Sequence, residues 1–189
     1  MMSTEKLVVA VAGMPGSGKS LVLNTAIQSG YQVVVMGDEV REEAKRRNMP
    51  PTPENIGKIM LELRQTEGEA AIAKRCAPKI GKNTKTKVVV DGIRSLSEVE
   101  EFKKHFIHFA LIGIHSSPET RFKRLFNRQR SDDPTNWKIF QKRDLRELSV
   151  GLGNAIAMAE YIIVNEGEIN RTKDEIKTTL RKVEIKWTK

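Results

Sequence analysis

The chain has 189 residues, with 33 lysines and arginines against 24 aspartates and glutamates, which gives a formal charge of +9. This length suits one domain spanning residues 1–189, and the basic excess suits polyphosphate or nucleic-acid partners without choosing between them. The single cysteine, Cys76, excludes a disulfide framework and a cysteine-based zinc site, and the short apolar run near the N-terminus is neither a signal peptide nor a membrane span. We therefore expect a cytoplasmic protein without a membrane partner.

Five short apolar runs predict β-strands, at residues 7–12, 31–36, 87–90, 107–114 and 161–164. They show little alternation of apolar and polar residues, which is typical of strands buried on both faces. Stretches with helical spacing separate them. This order of elements predicts an α/β protein with three layers, in which helices cover both faces of a parallel sheet.

Several patterns mark the starts of helices. Two Ser/Thr-x-x-Glu patterns, beginning at Ser95 and Thr172, predict capping boxes. Three capping residues directly before a proline, Thr52, Ser117 and Asp133, predict helices that begin at that proline.

Two segments depart from simple strand and helix alternation. Between the second and third strands, the sequence predicts a helix over residues 38–48, a proline-rich break, and one long helix to about residue 76. Further along, residues 127–146 are dense in arginine and polar residues.

The most specific motif, G-M-P-G-S-G-K-S, directly follows the first predicted strand and is a complete Walker A motif. Its glycines allow main-chain N–H groups to curl around phosphate, and the next helix points its positive end at the same anion. Lys19 adds a charge for the β- and γ-phosphates, and Ser20 offers a hydroxyl to Mg²⁺. We therefore predict ATP and Mg²⁺ as cofactors, bound by the loop Gly13, Met14, Pro15, Gly16, Ser17, Gly18, Lys19 and Ser20.

A second motif, G-D-E-V-R, follows the second predicted strand and contains Asp38 and Arg41. An arginine in the first turns of a helix, among free N–H groups, suits an anionic acceptor. The alternative is that Asp38 is an ordinary helix N-cap and Arg41 a solvated helix charge.

A third motif, D-G-I-R, follows the third predicted strand. Its carboxylate, Asp91, is placed as in a Walker B strand, where it orders Mg²⁺. Arg94 is the basic residue of this motif. A turn-forming Asp-Gly pair is the competing interpretation of the same residues.

Arginines are concentrated after the fourth predicted strand. Arg124 and Arg128 are four residues apart and share one helix face, while Arg130 and Arg143 follow in the lid segment. The planar guanidinium group suits this chemistry because it can bind phosphate oxygens in pairs. A charge-rich helix face with no further role would look similar.

Together these motifs resemble the adenylate kinase group of nucleoside monophosphate kinases and, by layout, dephospho-CoA kinases. They are most similar to an archaeal family of adenylate-kinase-related P-loop proteins that share G-M-P-G-S-G-K-S, G-D-E-V-R and D-G-I-R-S. The resemblance implies a five-stranded parallel sheet in the order 2-3-1-4-5, a helical acceptor-binding insert at residues 38–78 and a short arginine-rich lid at residues 127–146. The chain departs from the kinase pattern because Met36 replaces a Ser or Thr, and Arg94 comes one residue early without a proline.

The resemblance implies a kinase that transfers the γ-phosphoryl group of ATP to a small phosphorylated acceptor such as a nucleoside monophosphate. The implied catalytic residues are Lys19, Arg41, Asp91, Arg94, Arg124 and Arg128. The implied substrate-binding residues are Asp38, Arg41, Arg94, Arg130 and Arg143, and the implied metal ligands are Ser20 and Asp91.

Two other functions stay open. A kinase for a hydroxyl acceptor, of the dephospho-CoA type, would use Asp38 as its base. An ATP-dependent switch or slow ATPase acting with RNA or a protein complex would explain the +9 charge and the imperfect acceptor motif.

Overall fold

The centre of the molecule is a five-stranded sheet with the strand order β2-β3-β1-β4-β5, in which every neighbouring pair is parallel. The computed structural model describes residues 4–130 and 133–188. The strands are β1 (Thr4–Ala12), β2 (Gln32–Val35), β3 (Lys87–Asp91), β4 (Phe106–His115) and β5 (Tyr161–Val164). The fold class and the strand order predicted from the sequence are confirmed.

Helices cover both faces of this sheet. They are α1 (Lys19–Gln28), α2 (Met36–Arg46), α3 (Pro53–Glu67), α4 (Ala71–Lys82), α5 (Leu96–His105), α6 (Pro118–Arg128), α7 (Trp137–Ser149), α8 (Leu152–Ala157) and α9 (Ile169–Trp187). Helices α1 and α9 contribute to the core on one face, while α2, α3, α4, α5 and α8 contribute to the core on the other. None of these helices, within the described part of the chain, has the length and apolar character that crossing a bilayer requires.

The central strand shows why the apolar runs lack alternation. Val8 and Ala10 of β1 pack into the core on one face, and Val9 and Val11 pack into the core on the other. All four are fully buried. A strand with helices on both sides needs apolar residues at every position.

The segment between β2 and β3 differs from its prediction. The single long helix expected to reach residue 76 is wrong, because the chain forms two helices, α3 and α4, with a break at Gly68. Gly68 has φ +93°, a left-handed conformation that interrupts the helix and favours glycine. The region predicted as the acceptor insert, residues 38–78, thus spans most of α2, all of α3 and part of α4.

Three of the five predicted helix starts are confirmed. The side chains of Thr52, Ser95 and Ser117 each accept a hydrogen bond from the main-chain N–H three residues later. These bonds satisfy N–H groups that the first turn of a helix leaves free.

The other two helix starts are wrong. Helix α9 begins at Ile169, so Thr172 lies inside it and its hydroxyl donates to Asn165 Oδ1 instead. Helix α7 begins at Trp137 with Asn136 as its cap, while Asp133 accepts hydrogen bonds from Arg128. In both cases the side chain bonds a residue five to seven positions earlier in the chain instead of capping the next helical turn.

A buried carboxylate, Glu43, joins α2 to α4. Its side chain is 4% exposed and accepts hydrogen bonds from Arg47, at 2.7 Å, from Arg75, at 2.8 Å, and from Arg46. Burial opposes ionisation, but hydrogen bonds from Arg75 and Arg47 outweigh it and lower the pKa of Glu43 from 4.5 to about 2. Glu43 therefore stabilises the fold in its ionised form.

We expect Glu43→Gln to lower the free energy of unfolding by about 1–3 kcal/mol near pH 7, because hydrogen bonds to a buried charge are lost. A depressed folded-state pKa contributes stability above the unfolded pKa of 4.5, and this contribution is lost as the pH falls toward 2. The difference between the variant and the parent should therefore shrink over that range. Urea unfolding of both proteins at several pH values measures this difference in the free energy of unfolding.

The matched control is Glu42→Gln, because Glu42 is a neighbouring acid on α2 whose side chain is 65% exposed. It should change stability by less than about 0.5 kcal/mol. Equal losses in the two variants would contradict the structural role of Glu43.

Candidate active site

The Walker A residues form a tight loop between β1 and α1. Ser17 N–H donates to the carbonyl of Met14 at 3.0 Å, and Gly16 and Gly18 have φ of +82° and +102°. Gly18 is the N-cap of α1, so the free N–H groups of the first helical turn border the loop. This arrangement is a ready anion-binding site.

The loop also lies very close to β4. A Cβ atom placed on Gly13 would lie 2.6 Å from Ile114 Cγ2 and 2.8 Å from the carbonyl oxygen of Ile114. The Ser17 hydroxyl would also be 2.6 Å away. Only glycine therefore allows this part of the loop to pack against the carboxyl end of β4.

Lys19 folds back over this loop. Its Nζ donates to the carbonyl of Gly13 at 2.7 Å and lies 3.4 Å from the carbonyl of Met14. Burial lowers the pKa of Lys19, and the nearby charge of Asp91 acts in the opposite direction. The ammonium group is thus held beside the loop by weak neutral acceptors, from which an anion can attract it.

Asp91 lies at the end of β3, beside Val11 of β1 and Val35 of β2 in the sheet register. Its Oδ1 atom is buried and has no hydrogen-bond partner among residues 4–130 and 133–188. Burial raises the pKa of Asp91, while the charge of Lys19 lowers it. A buried carboxylate oxygen without a donor is costly, and such atoms are typical of ligand sites.

Ser20 and Asp91 supply the oxygen atoms that a hard cation requires. Ser20 is exposed in the first turn of α1, and Asp91 carries the buried oxygen without a donor. A hydroxyl and a carboxylate are the ligand types that Mg²⁺ takes in proteins, completed by phosphate oxygens and water. The residues present therefore fit this metal.

Asp38 and Arg41 lie in the first turns of α2. Arg41 Nη2 and Nε donate to Asp38 Oδ1 at 2.5 and 3.1 Å, and both side chains are more than half exposed. Helix α2 begins at Met36, so the alternative in which Asp38 caps the helix is wrong. The pair lies just after the end of β2, at the same sheet edge as the Walker A loop.

Arg94 lies between three elements. Its Nη1 atom is 3.2 Å from Glu147 Oε2 of α7 and 3.6 Å from Met60 Sδ of α3. Its main-chain N–H donates to Glu98 Oε2 at 2.7 Å. The Arg94 side chain is 38% exposed and so remains accessible to a ligand.

Arg124 lies against the Walker A loop. It donates to Ser116 Oγ at 2.9 Å and to the carbonyl of Asn165 at 3.0 Å, and its Nη1 lies 3.5 Å from the carbonyl of Gly16. These acceptors are neutral. Arg124 therefore lies at the edge of the loop without a hydrogen bond to a carboxylate among the described residues.

The lid arginines converge on one carboxylate. Arg128 binds Asp133 with hydrogen bonds of 2.6 and 2.9 Å, and Arg143 Nη1 is 3.9 Å from the same residue. Hydrogen bonding from Arg128 lowers the pKa of Asp133. Arg130 contributes its main-chain N–H, at 2.9 Å, and its side chain is exposed. Residues 131 and 132 of the predicted lid lie outside the described residues.

Sequence reasoning missed Arg121. This buried side chain forms two hydrogen bonds to Asp144, at 2.8 and 2.5 Å, and donates to the carbonyls of Pro15 and Ser116. Its guanidinium also lies over the ring of Phe140, 5.0 Å from the centroid. It joins α6, α7 and the Walker A loop, and nothing in the sequence separates it from the exposed arginines around it.

Sequence reasoning also missed Asn165 and Glu147. Asn165, directly after β5, donates from Nδ2 to the carbonyl of Ser17 at 2.9 Å and so holds the loop from the other side. Glu147 is a nearly buried acid that faces Arg94 and influences the pKa of Lys19. Only its position four residues after Arg143 could have suggested a role.

We expect Gly13→Ala to lower the free energy of unfolding by about 1–3 kcal/mol, because its new methyl group overlaps the main chain of β4. Urea unfolding measures this change. The matched control is Gly57→Ala in α3, where a Cβ atom meets nothing within 4 Å. That substitution should stabilise the protein by about 0.5–1 kcal/mol, and a loss there equal to that of Gly13→Ala would contradict the packing argument.

Solved structures with a similar fold include two proteins named as kinases. A gluconokinase from Sinorhizobium meliloti superimposes with a TM-score of 0.58 at 17% identity, over 94% of this chain and 93% of that one. A shikimate kinase from Acinetobacter baumannii, in complex with shikimate, gives 0.57 at 14% identity over 94% and 93%. The chain thus has the fold of P-loop kinases.

Comparison of sequences finds relatives with higher sequence identity than these solved structures. The UPF0200 protein of Hyperthermus butylicus is 45% identical over 97% of this chain and 98% of its own length. The UPF0200 protein of Methanocaldococcus jannaschii is 45% identical over 94% and 90%. A family model described as an AAA domain matches residues 12–140. The chain therefore belongs to the archaeal UPF0200 family, as its motifs predicted.

Proposed function

We propose that this protein is an ATP- and Mg²⁺-dependent phosphotransferase that acts on a small phosphorylated acceptor, most simply a nucleoside monophosphate. The observation that carries the proposal is the pair of opposite charges at the Walker A loop. Lys19 lies on the formed loop, and Asp91 presents a buried oxygen without a hydrogen-bond donor among the described residues. Phosphoryl transfer depends mainly on such positioning and electrostatics.

The loop and its helix bind the nucleotide in this proposal. The main-chain N–H groups of the loop, other than at Pro15, which has none, and the positive end of α1 hold the β- and γ-phosphates, with Lys19 moving from its carbonyl acceptors to the phosphate oxygens. Ser20 and Asp91 hold Mg²⁺, which when bound neutralises charge on the phosphates. The buried position of Asp91 makes its interaction with a cation stronger than it would be in water.

Arginines bind the acceptor and the transferring group. In this proposal Arg41, in the helix after β2, and Arg94, three residues after β3, bind the acceptor phosphate, and Asp38 orients Arg41 through their ion pair. Arg124 at the loop edge, with the lid arginines Arg128, Arg130 and Arg143, neutralises charge on the phosphoryl group in flight. A phosphate acceptor is already ionised near pH 7, so this reaction needs no general base.

A hydroxyl acceptor is the second candidate. Asp38 lies in the first turn of α2 at the same sheet edge as Asp91, where it can take a proton from a hydroxyl group. The solved structures with this fold include proteins named as a gluconokinase and a shikimate kinase, which fits small-molecule acceptors in general.

An ATP-dependent switch acting with RNA or a protein complex is the candidate from another class. The net charge of +9 supports it. Binding of RNA that weakens with salt and responds to ATP, without turnover of any acceptor, would favour it.

We expect Lys19→Ala to reduce phosphoryl transfer by about 10²-fold or more, because the transition state loses a charge at the β- and γ-phosphates. Release of ADP in the presence of a nucleoside monophosphate panel measures the rate. Lys123→Ala, at an exposed position on α6, is the matched control and should keep the parent rate. Unchanged transfer in Lys19→Ala would contradict the proposal.

A screen of acceptors with radiolabelled ATP separates the two kinase candidates through Asp38→Asn. If the acceptor is a phosphate, this substitution should slow turnover by less than about tenfold, because no proton has to be removed. A hydroxyl acceptor would be labelled strongly by the parent protein and about 10²-fold more slowly by Asp38→Asn. That second result would replace the monophosphate assignment.

A further inference from the structure

Two glutamates contact Arg94 in different ways. Glu147, on α7, is 8% exposed and lies 3.2 Å from the Arg94 side chain. Glu98, on α5, is fully buried and accepts the Arg94 main-chain N–H at 2.7 Å. One glutamate therefore holds the guanidinium group and the other holds the backbone that carries it.

The contacts of Glu98 fix the backbone at Arg94. Its second carboxylate oxygen binds Arg64 Nη2 of α3 at 2.7 Å, in a pair where both side chains are almost fully buried. Ser95, next to Arg94, caps the N–H of Glu98. Because removal of either partner would leave a buried charge unpaired, this pair does not exchange readily with a ligand.

Unlike the Glu98–Arg64 pair, the contact of Glu147 with Arg94 is partly accessible to a ligand. The Arg94 side chain is 38% exposed, and its separation from Glu147 is longer than that of a strong charge-assisted hydrogen bond. Arg94 is the end of this pair that a ligand can reach, because Glu147 is only 8% exposed. An incoming phosphate, with two or more charged oxygens, can therefore replace this single carboxylate contact.

If phosphate displaces Glu147 from Arg94, helix α7, which carries Glu147, is affected. Glu147 shares α7 with Arg143, which approaches Asp133, and with Asp144, which holds the buried Arg121 beside the Walker A loop. A nearly buried carboxylate that loses its cation partner is unfavourable. Helix α7 must therefore adjust when Arg94 takes another anion.

We propose that Glu147 competes with the acceptor's anionic group for Arg94, and that Glu98 is a positioning residue that keeps Arg94 in place for this exchange. The inference rests on the proposed function, in which Arg94 binds the acceptor. It assigns opposite effects to two glutamates that contact the same arginine. Loss of Glu147 strengthens acceptor binding, whereas loss of Glu98 weakens it.

The test uses the full chain with its Walker A loop filled by the magnesium complex of a non-hydrolysable ATP analogue. Inorganic phosphate serves as the probe, and calorimetry measures its dissociation constant. We expect Glu147→Gln to bind phosphate about three- to tenfold more tightly, because a competing partly exposed ion pair is removed. We expect Glu98→Gln to bind it about tenfold more weakly. The affinity for the ATP analogue should change less than about twofold in Glu98→Gln. Because Glu147 acts on Lys19, phosphate binding is compared at saturating analogue in every variant.

Two controls separate competition from a general change in charge. Glu119→Gln removes one negative charge at an exposed position on α6 and should leave phosphate binding within about twofold of the parent. Arg94→Met should weaken phosphate binding, and adding Glu147→Gln to it should give no gain. Amide hydrogen exchange in α7 should rise on phosphate addition in the parent and change little in Glu147→Gln.

The outcomes distinguish this inference from the function on which it rests. If Arg94→Met weakens phosphate binding but Glu147→Gln behaves like Glu119→Gln, competition by Glu147 is wrong and the acceptor role of Arg94 stands. A gain from Glu147→Gln that persists with Arg94→Met also contradicts competition. If the parent binds the ATP analogue but no phosphate, both the inference and the acceptor role of Arg94 are overturned. Failure of Glu98→Gln to fold would leave the Glu147 comparison decisive.

Discussion

The curl of the main chain at residues 13–18 is the constraint on which the rest of the site depends. Ser17 N–H closes the turn on the carbonyl of Met14, Lys19 folds back over the loop, and neighbouring elements pack against it. Ile114 of β4 leaves room for no side chain at Gly13, and Asn165 after β5 binds the loop carbonyl at Ser17. Because the strand order places β4 and β5 on the side of the loop, the geometry of the anion site depends on the fold of the sheet.

Several of the arginines around this loop form ion pairs with carboxylates. Arg41 pairs with Asp38, Arg94 with Glu147, and Arg128 with Asp133. Such carboxylates keep the arginines oriented and limit their mutual repulsion. The ion pair between the buried Arg121 of α6 and Asp144 of α7 instead joins these two helices to the loop.

The sequence predicted the sheet, its strand order and the Walker A loop, because apolar runs and fixed glycine spacings report directly on burial and backbone geometry. It failed where a specific side-chain contact replaces the local capping pattern. Thr172 looks like a cap but bonds Asn165, and Asp133 looks like a helix start but binds Arg128. Arg121 and Glu147 resemble their exposed neighbours in sequence, and only packing separates buried charges from solvated ones. The roles of the predicted acceptor arginines stay predictions.

The account requires that the formed loop bind a nucleoside triphosphate, and calorimetry of the protein with ATP and GTP in the presence of Mg²⁺ tests this most directly. We expect saturable binding of ATP at one site per chain. Removing Mg²⁺ together with replacing Lys19 by alanine should abolish that binding. Absence of any heat or saturable uptake with both nucleotides would contradict it.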